Sequence, residues 1–313
     1  MESDRAPDYF LFIINPKAGH LDKINLAERI KSAFSSQNSK LECHVVQTEK
    51  PGQAQALAAD CARQYGSRAV IFACGGDGTA REVAGGVART DAAMGLVPIG
   101  TANDFAKTVL PGVRLDWLLP RLPGPDIRPI DVIEADGQIC LNIASLGFDT
   151  KVQRQASRLN ARFPWLGQFS YSLAVVLSLF GNREYPMHYQ MQTIDQDGRK
   201  GEIEGDARFI LAAICNGHYY GGGFNPSPHA LLDDGRLDFC LVDNLPMRRI
   251  IPLIPRYKKG THLGDPAIHL WPVVSGHIQA QKGLLLGNYD GESFEKEMID
   301  FRILPGVLRF AFY

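Results

Sequence analysis

The sequence predicts an α/β protein, with an N-terminal doubly wound parallel-sheet domain followed by a mainly antiparallel, β-sandwich-like second domain. Three observations carry this reading. The first third alternates strand-length apolar runs with segments of helical period. Polar, glycine-containing loops follow three of those runs. Beyond the Pro-rich stretch Pro120 to Pro129, alternating strand patterns dominate. A boundary near Asp131 divides the chain into 1–131 and 132–313, with C-terminal residues available to complete the first domain.

The elements follow in order. Tyr9 to Ile14 reads as a buried strand, Leu21 to Phe34 as a helix and Leu41 to Val46 as a strand. Gln53 to Tyr65 is an Ala-rich helix. Ala69 to Ala73 is a strand, followed by a Gly turn and a helix through Val87. Met94 to Pro98 is a short strand, again followed by a turn and a helix. In the second domain, Ile203 to Ile214 and Leu237 to Val242 alternate as strands do. Trp165 to Phe180 and Met247 to Lys259 read as helices.

Composition narrows the function classes. Lys and Arg number 33 against 34 Asp and Glu, a formal net charge of −1, so no global field draws the chain to nucleic acid. Six scattered cysteines show no CxxC pair, which favours buried thiols in a reducing compartment. The longest apolar stretch outside the first strand, Phe169 to Phe180, is shorter than the ~20 residues that span a bilayer. The expectation is a cytoplasmic protein without a transmembrane segment, or one peripheral on a membrane.

Chemistry concentrates in the loops. Gly75-Gly76-Asp77-Gly78-Thr79 stands between a strand and a helix, where glycine lets backbone approach a phosphate and the helix start offers N–H groups. Asp77 cannot attract an anion but can hold Mg²⁺; a tight turn capped by Asp or Thr explains the same residues. Asn15-Pro16-Lys17-Ala18-Gly19 and Gly100-Thr101-Ala102-Asn103-Asp104-Phe105 follow two other strands. Three such loops at the carboxyl ends of parallel strands mark the edge where open α/β sheets bind ligands. Neither a Walker loop nor a GxGxxG with a ribose-binding acid is present.

Together these loops resemble the three nucleotide-binding loops of the diacylglycerol kinase catalytic family, which includes sphingosine, ceramide and bacterial lipid kinases. Asn142 to Asp149, Asn216 to Phe224, Asp233 to Asp238 and Asp290-Gly291-Glu292 resemble its later motifs, in order. The resemblance implies ATP and Mg²⁺ as cofactors and a lipid hydroxyl at a membrane surface as acceptor. It places Asn15, Pro16, Lys17, Ala18, Gly19, Thr48, Gly76, Asp77, Gly78, Thr79, Glu82 and Thr101 around ATP. It assigns catalytic Mg²⁺ support to Asp77 and Asp131, and a base to Asp290 or Glu292. It assigns a structural Mg²⁺ to Asp234 with the carbonyls of Leu231 and Arg236, where a plain β-turn is the other reading. No nucleic acid partner is implied, and a homodimer is left open.

Two positions depart from the family pattern. Arg81 stands where Asn is common, and Tyr289 precedes Asp290 where a smaller residue is frequent, which suggests a reshaped acceptor pocket. Pro246 to His262 carries five bases and no acid. It reads either as a dock for anionic headgroups or as an ordinary helix whose amphipathic face Pro252 and Pro255 interrupt. Two competing functions remain: an NAD kinase-like enzyme, which shares one motif, and a non-catalytic lipid-binding homologue. Retention of Asp77, Thr101, Asp131, Asp290 and Glu292 favours the lipid kinase.

Overall fold

A computed structural model describes residues 6–19, 22–35, 40–167, 169–179, 184–195 and 197–313, the side chains of Pro164 and Ser172 excepted. The chain forms two compact units. One contains the residues up to Val132 together with Pro305–Tyr313; the other is Ile133–Leu304.

The first unit opens with β1 (Tyr9–Ile14), α1 (Lys23–Ser35), β2 (Glu42–Gln47) and α2 (Gln53–Tyr65). It continues with β3 (Ala69–Gly75), α3 (Asp77–Val87), β4 (Ala93–Pro98), α4 (Asp104–Val109), the single turn α5 (Leu115–Leu118) and β5 (Asp126–Ala135), whose last residues belong to the second unit. Every residue of β1 and β3 is buried, as expected of strands covered on both faces. β1 pairs in parallel with β2 on one side and β3 on the other, and β4 follows β3. The sheet therefore reverses direction of growth between β1 and β3, and the crevice at that switch point is where such sheets take ligands. The end of the last strand, β14 (Met298–Phe312), adds in parallel beyond β4 through Arg309 and Phe310.

Helix α3, which carries the Gly-Asp-Gly loop into the sheet edge, is seated by a glycine. A Cβ at Gly86 would stand 2.5 Å from the Gln55 carbonyl oxygen and 2.8 Å from Ala58 Cβ. Backbone cannot yield as a flexible side chain does, so α2 and α3 touch because Gly86 has no side chain.

The second unit contains β6 (Gln138–Cys140), β7 (Ile143–Gly147), α6 (Phe148–Arg162), α7 (Phe169–Ser178), β8 (Tyr185–Ile194), β9 (Lys200–Cys215), β10 (Leu237–Asp243) and α8 (Met247–Lys259). It ends with β11 (Ile268–Ala280), β12 (Leu285–Tyr289), β13 (Glu292–Lys296) and the start of β14. The strand pairs described within it are antiparallel. Long strands change partners along their length. β9 pairs with β8 over Lys200 to Phe209 and with β7 over Leu211 to Cys215; β11 passes from β10 to β8 through an irregularity at Val273/Ser275. Strands that switch partners at such bends make a sandwich around one apolar interior, here Met187, Met191, Phe209, Phe239 and Phe301. The opposite face of β9 and β10 packs against α8 through Ile250, Leu253 and Tyr257.

Three expectations change. α6 was not anticipated, although Phe148, Val152, Ala156 and Leu159 recur at i, i+4, i+8 and i+11 and form its inner face; the stripe is one residue wide and stands among charged and amide side chains. α8 is a continuous helix across Pro252 and Pro255. Both prolines lie on its exposed side, where the carbonyls they leave unbonded meet water, while Ile250, Leu253 and Tyr257 keep the buried face intact. α7 ends at Ser178, and Leu21 and Phe180, expected helix ends, lie outside the described residues.

Gly86→Ala gives a test by sign. Alanine is the better helix former by about 1 kcal/mol, so an uncrowded site would gain stability. The α2–α3 contact predicts instead a loss of about 1–3 kcal/mol, read as a lower melting temperature of the first unit.

Candidate active site

The loops after β1, β3 and β4 converge through backbone. A Cβ at Gly100 would lie 2.4 Å from Gly76 Cα, and one at Gly19 would lie 2.0 Å from the Ile99 carbonyl oxygen. Gly19 also has φ +57°, the left-handed region that favours glycine. The N–H groups of Ile99 and Gly100 both donate to the Gly75 carbonyl at 3.1 Å. Side chains finish the connection. Asn15 Nδ2 donates to Thr79 Oγ1 at 3.2 Å, and Asn103 Nδ2 donates to the Gly100 carbonyl at 2.8 Å. Asp77 Oδ1 accepts the Phe105 N–H at 3.0 Å, tying the second loop to the third. α3 begins after Gly76, which has no side chain and so gives the helix no side-chain N-cap.

The remaining sequence-flagged residues of this unit occupy different places. Pro16, Lys17, Gly78 and Thr101 are exposed on the loops, Ala18 is half-buried, and Thr48 is anchored by its N–H to the Ile14 carbonyl at 2.9 Å. Glu82 does not reach toward the loops: its carboxylate accepts the N–H groups of Gly52 at 3.0 Å and Ala54 at 3.1 Å, capping α2. Asp131 is buried on β5, and its Oδ1 accepts the Gly306 N–H at 2.8 Å.

In the second unit, β7 and β12 lie side by side with Ser145 opposite Asn288. Gly147, at φ +95°, then turns the chain into α6, bringing Asp149 back over this pair. Ser145 donates its hydroxyl to Asp149 Oδ2. Asn288 Nδ2 lies 2.6 Å from Ser145 Oγ, 3.2 Å from Asp149 Oδ2 and 3.0 Å from Thr150 Oγ1. Asp149 Oδ1 is buried without a hydrogen-bond partner among the described residues. Asp149 is also the one carboxylate lining an otherwise apolar cavity framed by α6, α7 and α8, with Val152, Val175, Leu211, Ile250 and Tyr257. Burial raises its pKa to about 6, against the pull of Ser145 and Asn288.

The Asp-Gly-Glu turn joins β12 to β13. Asp290 (φ +47°) and Gly291 (φ +92°) both take left-handed backbone. The Asp290 carboxylate accepts the N–H groups of Leu141 at 2.6 Å, Asn142 at 2.9 Å and Ile143 at 3.1 Å. Burial holds its pKa above the usual carboxylate value, against these donors. Glu292 is exposed. Tyr289 does not line the cavity: it is buried in the sandwich core, with its hydroxyl donating to Asp136 at 2.8 Å. At the second turn, Asp234 Oδ1 accepts the Arg236 N–H at 3.1 Å, and the Arg236 guanidinium stands 3.5 Å from Oδ2, while Leu231 is exposed.

Residues 9–135 match the diacylglycerol kinase catalytic domain, and residues 142–312 match the YegS C-terminal NAD kinase beta sandwich-like domain. Lipid kinase YegS of Escherichia coli K12 is 30% identical over 310 residues, covering 96% of this chain and 94% of its own length. The chain belongs to the YegS-like lipid kinase family. Its fold is that of a diacylglycerol kinase of Bacillus anthracis, with a TM-score of 0.70 at 22% identity over 98% of this chain and 97% of that one. Yeast NADH kinase, solved with NADH, shares the fold at a TM-score of 0.50 and 8% identity, over 98% of this chain and 84% of its own.

For this family member, reading along the sequence overlooked Asp149 and Asn288 as site residues. Asp149 closes the Asn142 to Asp149 motif and Asn288 stands two residues before Asp290, yet neither was assigned a role. The available signal was a carboxylate and an amide inside apolar stretches, which must find partners when buried.

Asp149 gives a pH prediction. Its folded pKa of about 6 exceeds the ordinary 3.8, so between these values the folded state binds the extra proton, and stability from this group falls as pH rises through that window. Asp149→Asn removes the titration. The melting temperature of the variant relative to the unaltered chain should therefore climb from pH 4 to pH 6 and level off above it; a flat difference would assign the site no titration there.

Proposed function

We propose that the chain transfers the γ-phosphoryl group of ATP to a hydroxyl of a membrane lipid, diacylglycerol or a close relative. The observation that carries this is the convergence of three loops at the switch point of the parallel sheet, joined by glycine-only backbone contacts and by the Asp77–Phe105 bond. Phosphoryl transfer asks mainly for positioning and for neutralisation of phosphate charge. The α3 N-terminus and the N–H groups of Gly76 to Thr79 suit the phosphates, with the Asn15 to Gly19 loop and Thr101 beside them. Mg²⁺, when bound, would neutralise phosphate oxygens. Asp77 and Asp131 have the oxygen donors it requires, each with one carboxylate oxygen already aimed by a backbone N–H. Glu82 serves this site indirectly, by fixing α2 against α3.

The second unit supplies the acceptor side. Its apolar cavity suits a hydrocarbon chain. Of the two turn carboxylates, Glu292 is the better base. The Asp290 carboxylate is already engaged by three N–H groups, so it positions the turn and the Leu141 to Ile143 segment instead. Asp234 with the carbonyls of Leu231 and Arg236 offers oxygen donors of the kind Mg²⁺ takes, and its carboxylate is held in place by Arg236. No helix among the described residues is long and apolar enough to cross a membrane. A cytoplasmic enzyme working at the membrane surface follows from this reading.

Labelled ATP, Mg²⁺ and a panel of diacylglycerol, phosphatidylglycerol, a sphingoid base and NAD, with product masses, test it. Transfer to a lipid is expected; transfer to NAD alone, or to nothing, overturns it. Glu292→Gln should lower turnover about 10²–10⁴-fold at unchanged ATP affinity, the usual share of acid–base catalysis. Asp290→Asn should instead lower the melting temperature, because an amide N–H₂ would face backbone donors. Asp234→Ala should lose the thermal stabilisation that Mg²⁺ gives the unaltered chain.

A further inference from the structure

The helix that covers the acceptor cavity is amphipathic in the wrong sense for water. On α7, Tyr171, Ala174 and Val175 pack against α6, and Ser170 and Ser178 are buried with them. Phe169, Leu173, Val176 and Leu177 recur at the i, i+4, i+7, i+8 spacing of one helical face, and that face is exposed. Phe169 is 77% exposed and Val176 53%. The connection from α6 continues the surface: Trp165 is 80% exposed, with Phe163 edge-on to it at 6.5 Å. Single exposed apolar residues are ordinary, but a contiguous face of them marks a contact surface.

Charge says what covers it. Between Thr150 and Leu179 the sequence has Lys151, Arg154, Arg158 and Arg162 and no acidic residue. Arg154 is paired with Glu295 and Lys151 donates to the Ser178 carbonyl, whereas Arg158 and Arg162 are exposed one helical turn apart. The Arg162 guanidinium lies over the Phe163 ring at 5.7 Å, putting a cation against the aromatic edge of the patch. Apolar side chains bordered by arginine and aromatic rings fit the headgroup boundary of an anionic bilayer. A second protein copy would need acids to meet these cations, and the stretch from Thr150 to Leu179 has none to offer in return.

We propose that the outer face of α7, with Trp165 and Phe163, inserts into the headgroup layer of an anionic membrane, with Arg158 and Arg162 on lipid phosphates. α7 then faces the bilayer with one side and the acceptor cavity with the other, through Tyr171 and Val175. A lipid chain could pass from bilayer to cavity past this helix without crossing water. The docking stands by itself; its use in catalysis rests on the lipid kinase reading.

Full-length protein is sedimented with vesicles of phosphatidylcholine alone and with phosphatidylglycerol added. The unaltered chain should favour the anionic vesicles. Trp165→Ala/Phe169→Ala should weaken that partition at least about tenfold, with an unchanged melting temperature because both side chains are exposed. Arg158→Glu/Arg162→Glu should remove the preference for phosphatidylglycerol. Brominated phosphatidylglycerol should quench fluorescence that Trp165→Phe removes. Wild-type vesicle binding by the aromatic double variant overturns the proposal. So does light scattering in which that variant turns a dimer into a monomer while vesicle binding stays the same, since a second copy then owns the face. A chain that docks through this face yet phosphorylates no lipid supports docking and overturns the kinase reading instead. Full activity on vesicle lipid of an aromatic variant that no longer sediments with vesicles overturns the use of docking in catalysis alone.

Discussion

A side chain at Gly100 would overlap the backbone of Gly76, and one at Gly19 would overlap the Ile99 carbonyl. This exclusion governs the first unit. The loops after β1, β3 and β4 can share one crevice only because their backbones touch, and backbones touch only where Cβ is absent. Asn15, Thr79, Asn103 and Asp77 then stitch loops that are already close. Peptide N–H groups are thereby presented with little freedom to move, which is what electrostatic stabilisation of a transferring phosphoryl group requires.

Carboxylates do two kinds of work in this molecule. Glu82, Asp77, Asp131 and Asp290 each accept at least one main-chain N–H. Such bonds are charge-assisted and stronger than neutral ones, so these acids order loops whatever else they do. Asp290 is the extreme case, with the segment Leu141 to Ile143 wrapped around it. An acid at the centre of a motif can thus matter first for the shape of the turn that carries it.

The parallel half of the fold was legible because its signals are local. β1 and α2 have the bounds their apolar periods suggested, and the Gly-rich loops stand at strand ends. What escaped the reading depends on distant residues. α6 carries only a narrow apolar stripe, Phe148, Val152, Ala156 and Leu159, whose packing partners lie on α7. The prolines of α8 break a helix only where their missing N–H is needed by a buried carbonyl, and burial is not visible in a run of letters. Asp149 acquires its importance from Asn288, far along the chain, and the role of Glu82 depends on where α2 begins. Tyr289 seemed to reshape a pocket because it neighbours a motif, but alternation along β12 turns it into the core instead.

The strand that adds to β4 in the parallel sheet is translated long after the rest of that sheet. β4 acquires its neighbour from Arg309 and Phe310, and the Asp131 carboxylate acquires Gly306. Until those residues leave the ribosome, the parallel sheet has a raw edge at β4 and a buried acid without one of its donors. All of Ile133–Leu304 is translated in between, on the order of ten seconds or more at ordinary elongation rates. During that interval the first unit is a nascent intermediate whose open edge invites strand pairing with other chains. Premature termination anywhere in the second unit would thus leave the first one misassembled as well, and chaperone demand should track the time taken to translate the stretch between them.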